Sequence, residues 1–164
     1  MQTKEELIYF FDTEFKLLLQ KISADTKPLW GTMNSQRMVE HLAMGFKIAN
    51  GKIIIPATAI DGKAGKLKAI FLLSDRPLPK DFQNPILPKG LMPLEHLSLT
   101  IAKQKLLEEA DSFFSFFNLN PNDETFIHNL FGNLNYHEWL WFEYKHIMHH
   151  FMQFGIVKLE EKII

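Results

Sequence analysis

Residues 139–156 read WLWFEYKHIMHHFMQFGI, and this stretch decides the fold class. Its only formally charged side chains are Glu143 and Lys145, and bulky apolar residues fall on every side of the predicted helix. A helix of this composition is normally covered all round by other elements. Because one bundle cannot easily cover every face of one of its own helices, we expect an apolar strip to meet a second copy of the chain in a homodimer.

Apolar residues recur at helical spacing in three other parts of the chain. The four predicted helices run from Thr3 to about Lys21, from a cap at Asn34 or Ser35 to about Asn50, from Ser98 to just before Asn118, and from a cap at Asn135 to about Leu159. Glu138 lies three residues after Asn135 and suits a capping box. No alternating strand pattern of convincing length interrupts these segments, so the pattern predicts an all-α bundle.

The segment from residue 51 to residue 97 differs from the rest of the chain. It holds six of the eight prolines, and helical periodicity returns only near Ala64 to Leu73, with Lys52 to Ala57 suited to a short extended piece. Long connections inside compact domains are uncommon; they are functional or link elements that a tight turn cannot join. We therefore predict a single domain over residues 1–164, an all-α four-helix bundle with a long Pro-rich crossover between helices two and three.

The composition disfavours several classes of function. The 18 basic and 19 acidic residues leave a net charge of -1, so neither a nucleic acid nor an anionic membrane is favoured as partner. The absence of cysteine excludes a disulfide framework, a thiolate metal site and a cysteine nucleophile, so any thiol must be external. The first residues lack a secretory pattern and no apolar run could span a bilayer, which predicts a cytoplasmic protein.

Histidines on two of the predicted helices indicate a metal site. His146 and His150 lie about 40° apart around the last helix and about 6 Å apart along it, so both imidazoles can reach one ion. The glutamate that follows the first histidine in zinc metalloprotease helices is absent, so that activity is not predicted. His41 lies midway along the apolar stripe of helix two, where an unpaired imidazole would be costly, and is the natural third ligand.

Further polar residues on the last helix are candidates for supporting roles. Glu143 and Gln153 continue the face of His146 and His150; Glu143 could accept a ring N–H or a proton, and Gln153, as an outer partner of the site, could orient a water. His149 points about 100° away from His150 and is a candidate proton shuttle. Such residues are more often solvated or locally hydrogen-bonded than catalytic. The remaining histidines, His96, His128 and His137, fall in or beside predicted loops.

Four short motifs give the chain a family resemblance. They are Trp30-Gly31-Thr32-Met33, Met38-Val39-Glu40-His41-Leu42, Phe131-Gly132-x-Leu134 and His146-x-x-His149-His150-x-x-Gln153-Phe154-Gly155. Over nearly its whole length the chain resembles the DinB/YfiT-like superfamily of metal-dependent proteins, and more narrowly a bacterial branch marked by that Phe-Gly loop and the His-rich Gln-Phe-Gly helix. The resemblance implies a four-helix bundle, commonly dimeric, with a water-accessible metal site on His41, His146 and His150.

The superfamily includes enzymes that transfer a low-molecular-weight thiol to an electrophile, and thiol-dependent isomerases. The resemblance therefore implies a metal-dependent transferase or hydrolase that acts on a small electrophilic substrate. Zn²⁺ or Ni²⁺ is the expected ion, and an external thiol the expected cosubstrate of transfer. The alternatives are a metal-dependent binding or sensor protein without turnover, and a plain helical dimer whose histidines are core or surface residues.

Overall fold

The structure is a computed structural model that describes residues 1–56, 62–74, 76–80, 93–120 and 126–158. Within those ranges the chain is mostly helical, and no helix there is long and apolar enough to cross a membrane. Three helices are regular: α2 is Ser35–Ala49, α4 is Leu99–Leu119 and α5 is Tyr136–Gln153. Two helices contain a π-helical turn: α1 (residues 4–20) consists of Lys4–Tyr9, the π-helical turn Phe10–Glu14 and Phe15–Gln20, and α3 (residues 64–72) consists of Ala64–Leu67 and the π-helical turn Lys68–Leu72. The two strands are β1, Ile127–His128, and β2, Gly132–Asn133.

The long helices α1, α2, α4 and α5 begin at polar caps. Thr3 and Asn135 each form a capping box with the glutamate three residues further on. The side chains of Asn34 and Ser98 accept a hydrogen bond from a backbone N–H in the first turn of α2 and α4. These bonds satisfy N–H groups that have no partner inside a helix. The predicted starts of the long helices are therefore confirmed.

A π-helical turn inside α1, Phe10–Glu14, was not predicted from the apolar spacing. In this turn the N–H of Phe15 donates to the carbonyl of Phe10, five residues earlier. Residues five apart diverge by about 140° in an α-helix but lie close to one face of a π-helix. The turn therefore lets Phe10, Phe11 and Phe15 enter the core together, where each is at most 2% exposed.

The most extensive helix packing joins α2 to α4, and α5 packs on α1, α2 and α3. Part of the cover on α5 comes from the crossover, because the indole N–H of Trp141 donates to the carbonyl of Leu72 over 2.7 Å. The ammonium of Lys145 donates to three further carbonyls over 2.5–2.8 Å, those of Phe71, Ser74 and Arg76. The crossover thus covers part of α5, and the homodimer stays a prediction.

The crossover is also fixed at its far end, against α2. The carboxylate of Glu40 accepts the backbone N–H groups of Glu95 and His96 over 2.9 and 3.1 Å. The side-chain amide of Gln36, one turn earlier on α2, donates to the carbonyl of His96 over 2.7 Å. These bonds set the direction in which the chain enters α4.

The sequence predicted two short elements in the crossover, a helix and an extended piece, and the structure contains the helix. Helix α3 lies where the periodicity near Ala64 to Leu73 predicted a short helix. Residues 52–56 of the suggested extended piece belong to neither a helix nor a strand. Ala57 lies outside the described residues, as do the rest of 57–61, residue 75 and residues 81–92 of the crossover.

The predicted end of α5, near Leu159, is wrong. The helix ends at Gln153, and Gly155 adopts a φ of +66°. In this left-handed conformation, which favours glycine, the N–H groups of residues 155 and 156 turn back to carbonyls of the last helical turn. The apolar residues after Gly155 had suggested a longer helix, but the glycine supplies a stop. Leu159 itself lies outside the described residues.

A short β-hairpin precedes α5 and was not predicted. Its strands pair antiparallel, with Ile127 opposite Asn133 and His128 opposite Gly132. Two-residue strands are too short to produce an alternating pattern in the sequence.

His128 is buried within this hairpin. Its Nδ1 accepts the backbone N–H groups of Leu130 and Phe131 over 3.1 and 3.2 Å, and its ring stacks on Phe131 with centroids 4.7 Å apart. Burial lowers the pKa of the imidazole to about 3, so the ring is neutral at physiological pH. His128 therefore acts as a neutral acceptor that shapes the turn.

Alanine substitutions at Gly155 and Gly51 distinguish the stability cost of a strained backbone from the cost of a steric clash. A Cβ on Gly155 would meet Leu29 at 3.7 Å, an ordinary contact, whereas a Cβ on Gly51, which has a φ of +75°, would overlap the Phe126 ring. We expect Gly155→Ala to lower the free energy of unfolding by about 1 kcal/mol, the cost of a left-handed alanine. Gly51→Ala should lower it by clearly more, as measured by urea denaturation. Equal losses in the two variants would contradict this account.

The stability of the metal-free protein should depend on His128 in acid. The pKa of His128 is about 3 when folded and about 6.5 when unfolded. The unfolded chain therefore binds more protons, and stability falls as the pH drops from 6.5 towards 3. Asparagine keeps an acceptor in place of Nδ1 but does not titrate. Between pH 6 and pH 4.5 we therefore expect the free energy of unfolding of His128→Asn to fall by about 2 kcal/mol less than that of the wild type. Denaturation at several pH values tests this, and a profile parallel to that of the wild type would refute it.

Candidate metal centre

Three imidazoles from two helices meet at one point in the core. His41 on α2 faces His146 and His150 on α5, with ring centroids 4.7–4.9 Å apart. The Nε2 atoms of His41 and His146 lie 2.8 Å apart, and one nitrogen from each of the three rings lies within 4.8 Å of the others. The structure thus brings together the three histidines that the sequence spacing selected.

Desolvation keeps these imidazoles neutral. Burial, with a smaller effect of His149, lowers the pKa of His41 to about 4. Burial and the neighbouring histidines hold the pKa values of His146 and His150 well below their usual range. A neutral imidazole presents a lone pair, the form that binds metals. His146 and His150 are buried, whereas His41 keeps some exposure.

Gln153 fixes the ring of His150. Nδ1 of His150 lies 2.7 Å from Oε1 of Gln153, and the amide nitrogen of Gln153 donates to the carbonyl of Trp30 over 2.9 Å. Because the Trp30 carbonyl only accepts, the amide must present its oxygen to His150, and Nδ1 of His150 must carry the proton. The lone pair of His150 is then on Nε2. Outer partners of this kind orient the histidine ligands of metal sites.

Glu143 lies behind His146 and is completely buried. Its Oε2 is 3.9 Å from Nδ1 of His146, and both carboxylate oxygens and that Nδ1 have no hydrogen-bond partner among the described residues. Burial raises the pKa of Glu143 well above its usual value. A carboxylate beside the outer nitrogen of a ligating histidine is a recurrent arrangement at metal sites. The position of Glu143 therefore suits an orienting role towards His146.

Gly45 makes room for Glu143, a role that the sequence reasoning missed. A Cβ on Gly45 would lie 2.9 Å from both carboxylate oxygens, closer than real Cβ contacts come. A glycine inside a helix costs about 1 kcal/mol relative to alanine, so α2 gives up some stability at this point. The available signal was a glycine on the inward stripe of α2, one turn after His41.

The other histidines lie outside the cluster. The ring of His149 contacts those of Trp30 and His150, with centroids 5.9 and 5.1 Å apart, and His149 lines a groove together with Leu78 of the crossover. It contributes no nitrogen to the three-histidine point, and its role as a proton shuttle stays a prediction. Three histidines are held elsewhere: His96 at the end of the crossover, His128 in the hairpin, and His137 with Nε2 2.9 Å from the carbonyl of Gln2.

Comparisons of the chain with protein-family models, with curated proteins and with solved structures give no match. The residues of the site and their geometry are therefore the basis for any functional proposal. Three neutral imidazole nitrogens form a donor set that suits zinc, nickel, copper or iron. Three protein ligands also leave coordination positions open, as catalytic metal sites do.

Replacing Glu143 by methionine should stabilise the metal-free protein. The carboxyl group is buried with a raised pKa, so its ionisation at pH 8 opposes folding. We expect Glu143→Met to raise the free energy of unfolding at pH 8 by about 1 kcal/mol or more. The gain should shrink as the pH falls, because the protonated carboxyl costs less to bury. Urea denaturation in the presence of a chelator measures both effects.

The control for this substitution is Glu138→Met on the same helix. Glu138 caps α5 and pairs with Lys68 over 2.7 Å, so its loss should lower stability. If Glu143→Met also lowered stability at pH 8, the carboxylate would have a stabilising partner and our account of it would be wrong.

Proposed function

We propose that the protein is a metal-dependent member of the DinB/YfiT-like superfamily, with a divalent ion held by His41, His146 and His150. The observation that carries this proposal is the convergence of three neutral imidazoles on one point. Zinc and nickel are the ions we propose, because both accept imidazole ligands readily.

Three features of the cluster fit a cation. The Nε2 atoms of His41 and His146 lie 2.8 Å apart, so without an ion one of them must carry the proton and donate to the other, and a small outward shift would let both ligate one ion. Gln153 leaves His150 with its lone pair on Nε2, on the side away from the amide. A positive charge on the far side of His146 would strengthen its Nδ1–H as a donor towards Glu143. A cation would thus satisfy groups that are otherwise costly to bury.

We propose a transferase or hydrolase activity on a small electrophilic substrate. A divalent ion would lower the pKa of a water or thiol that binds beside it. The thiol must be external in the transfer reaction, because the chain has no cysteine. Partial exposure of His41 leaves a route for ligands. Glu143 is fully buried, which favours the orientation of His146 over proton exchange with solvent as its role.

The finer architecture belongs to the same proposal. Helices α1, α2, α4 and α5 would form the four-helix bundle of this superfamily in a single domain, with the crossover linking its second and third members. We propose further that the protein works in the cytoplasm on small molecules, without a nucleic-acid or membrane partner, and as a homodimer.

A binding or sensor protein without turnover is the second candidate. The burial of His146 and His150, which are 9% and 5% exposed, favours it, because an ion deep in the core would stabilise the fold whether or not a substrate reaches it. Failure of both proposals would leave a plain helical dimer.

Metal content per chain tests the proposal directly. Untagged protein is stripped with a chelator, reloaded from a mixture of divalent ions and analysed by mass spectrometry. We expect about one ion per wild-type chain, and loss of that ion in His41→Ala and in His150→Ala, because two imidazoles seldom hold a divalent ion firmly. The control is His137→Ala, on α5 but outside the cluster, which should keep the ion.

Two results would decide between the candidates. A wild-type protein that retains no ion, or variants that retain as much as the wild type, would rule out the metal site. If the ion binds, consumption of thiols or esters by the loaded protein across a broad panel of electrophiles would support an enzyme. Binding without any turnover would support the sensor protein instead.

A further inference from the structure

Two buried hydrogen-bond donors, one on α2 and one in the turn that precedes it, meet no acceptor among the described residues. They are Nη1 of Arg37 and Nε1 of Trp30, and neither meets a partner in the part of the chain that the structure describes. Buried donors in native proteins are nearly always paired, and an exception calls for an explanation such as a ligand or an ion. Two exceptions in one region indicate that the region is completed by something that supplies acceptors.

Helix α2 places Arg37 beside the cluster. Arg37 precedes His41 by four residues, so it lies on the same face of α2, about 6 Å further towards the N-terminus. Helices α2 and α5 run antiparallel, because His41 meets His150 while Gly45, later on α2, meets Glu143, earlier on α5. Arg37 is therefore level with the last turn of α5, one helical turn from His41.

Trp30 belongs to the same level. Its carbonyl accepts from Gln153, which in turn accepts from His150, so two hydrogen bonds join Trp30 to the cluster. The ammonium of Lys80 lies 4.3 Å from the centre of the Trp30 ring, a cation–π distance. Trp30 thus brings an indole N–H and an adjacent positive charge to the end of α5.

Neither Arg37 nor Lys80 has a carboxylate within ion-pair distance among the described residues. Four other cations of the described chain do pair with glutamates, namely Lys47, Lys52, Lys68 and Lys105. Two cations without such a partner and an unpaired indole N–H therefore belong to the level of the last turn of α5. An arginine fork and a further N–H donor suit the oxygens of a carboxylate or a phosphate.

We propose that Arg37 and Trp30, with Lys80 at the rim, form an anion subsite for an acidic group of the ligand that binds at the histidine cluster. This inference rests on the proposed function and adds a substrate class to it: a small acid that carries a carboxylate or phosphate oxyanion. The subsite would hold the acidic group one helical turn from the histidines and leave the rest of the ligand to reach them.

The test is calorimetric titration with inorganic phosphate and with succinate at constant ionic strength. Metal-free and nickel-loaded proteins are both titrated, because the metal-free form shows the contribution of Arg37 without direct binding of the anion to the ion. We expect Arg37→Gln to weaken binding of either anion by about tenfold or more in both forms. The affinity of Arg37→Lys should lie between those of the wild type and Arg37→Gln, because lysine keeps the positive charge but lacks the paired N–H donors of the guanidinium.

The matched control is Lys16→Gln, which removes one positive charge from the exposed face of α1 and should leave the affinities unchanged. Nη1 of Arg37 meets no partner among the described residues and no carboxylate there pairs with the guanidinium, so Arg37→Gln should keep the wild-type melting temperature. Failure of both anions to bind the wild type, or equal binding by wild type and Arg37→Gln, would overturn the subsite. Arg37-dependent binding in a chain that retains no metal would uphold the subsite and reject only the metal proposal.

Discussion

The contact between α2 and α5 is the constraint on which the rest of the structure depends. It carries three imidazoles and a carboxylate into a core that is otherwise rich in aromatic side chains. Each such group must be neutral, hydrogen-bonded or paired to be buried without a large penalty. Desolvation meets the first condition for the histidines, and Gln153 meets the second for His150. Nδ1 of His146 and the carboxylate oxygens of Glu143 have no hydrogen-bond partner within the described chain, and these unpaired groups make the contact a candidate site as well as a packing interface.

Much of the fold could be predicted because its signals are local. Helix caps such as Thr3 and Asn135 depend on residues three positions apart, and the spacing of His146 and His150 depends on one helix alone. The choice of His41 required one longer step, from an unpaired imidazole on an apolar stripe to a partner on another helix. That step succeeded because His146 and His150 supply the partners that an imidazole on the apolar face of α2 lacks within its own helix.

The features that were missed depend on contacts between distant residues or on single backbone angles. The close approach of Gly45 to Glu143 exists only once α2 and α5 are packed, and the turn around His128 requires backbone N–H groups that no sequence period reveals. The end of α5 depends on one glycine, whose stop signal is outweighed in a periodicity argument by the apolar residues around it. The π-helical turn at Phe10–Glu14 accompanies the burial of three phenylalanines, and the spacing of apolar residues does not reveal it.

The crossover is attached at two separate places, by Lys145 to residues 71, 74 and 76, and by Glu40 to residues 95 and 96. Both attachments are made by side chains of helices that also carry the histidines. Any shift of α2 against α5 would therefore move the two attached parts of the crossover relative to each other, so the histidine contact and the course of the crossover are mechanically coupled.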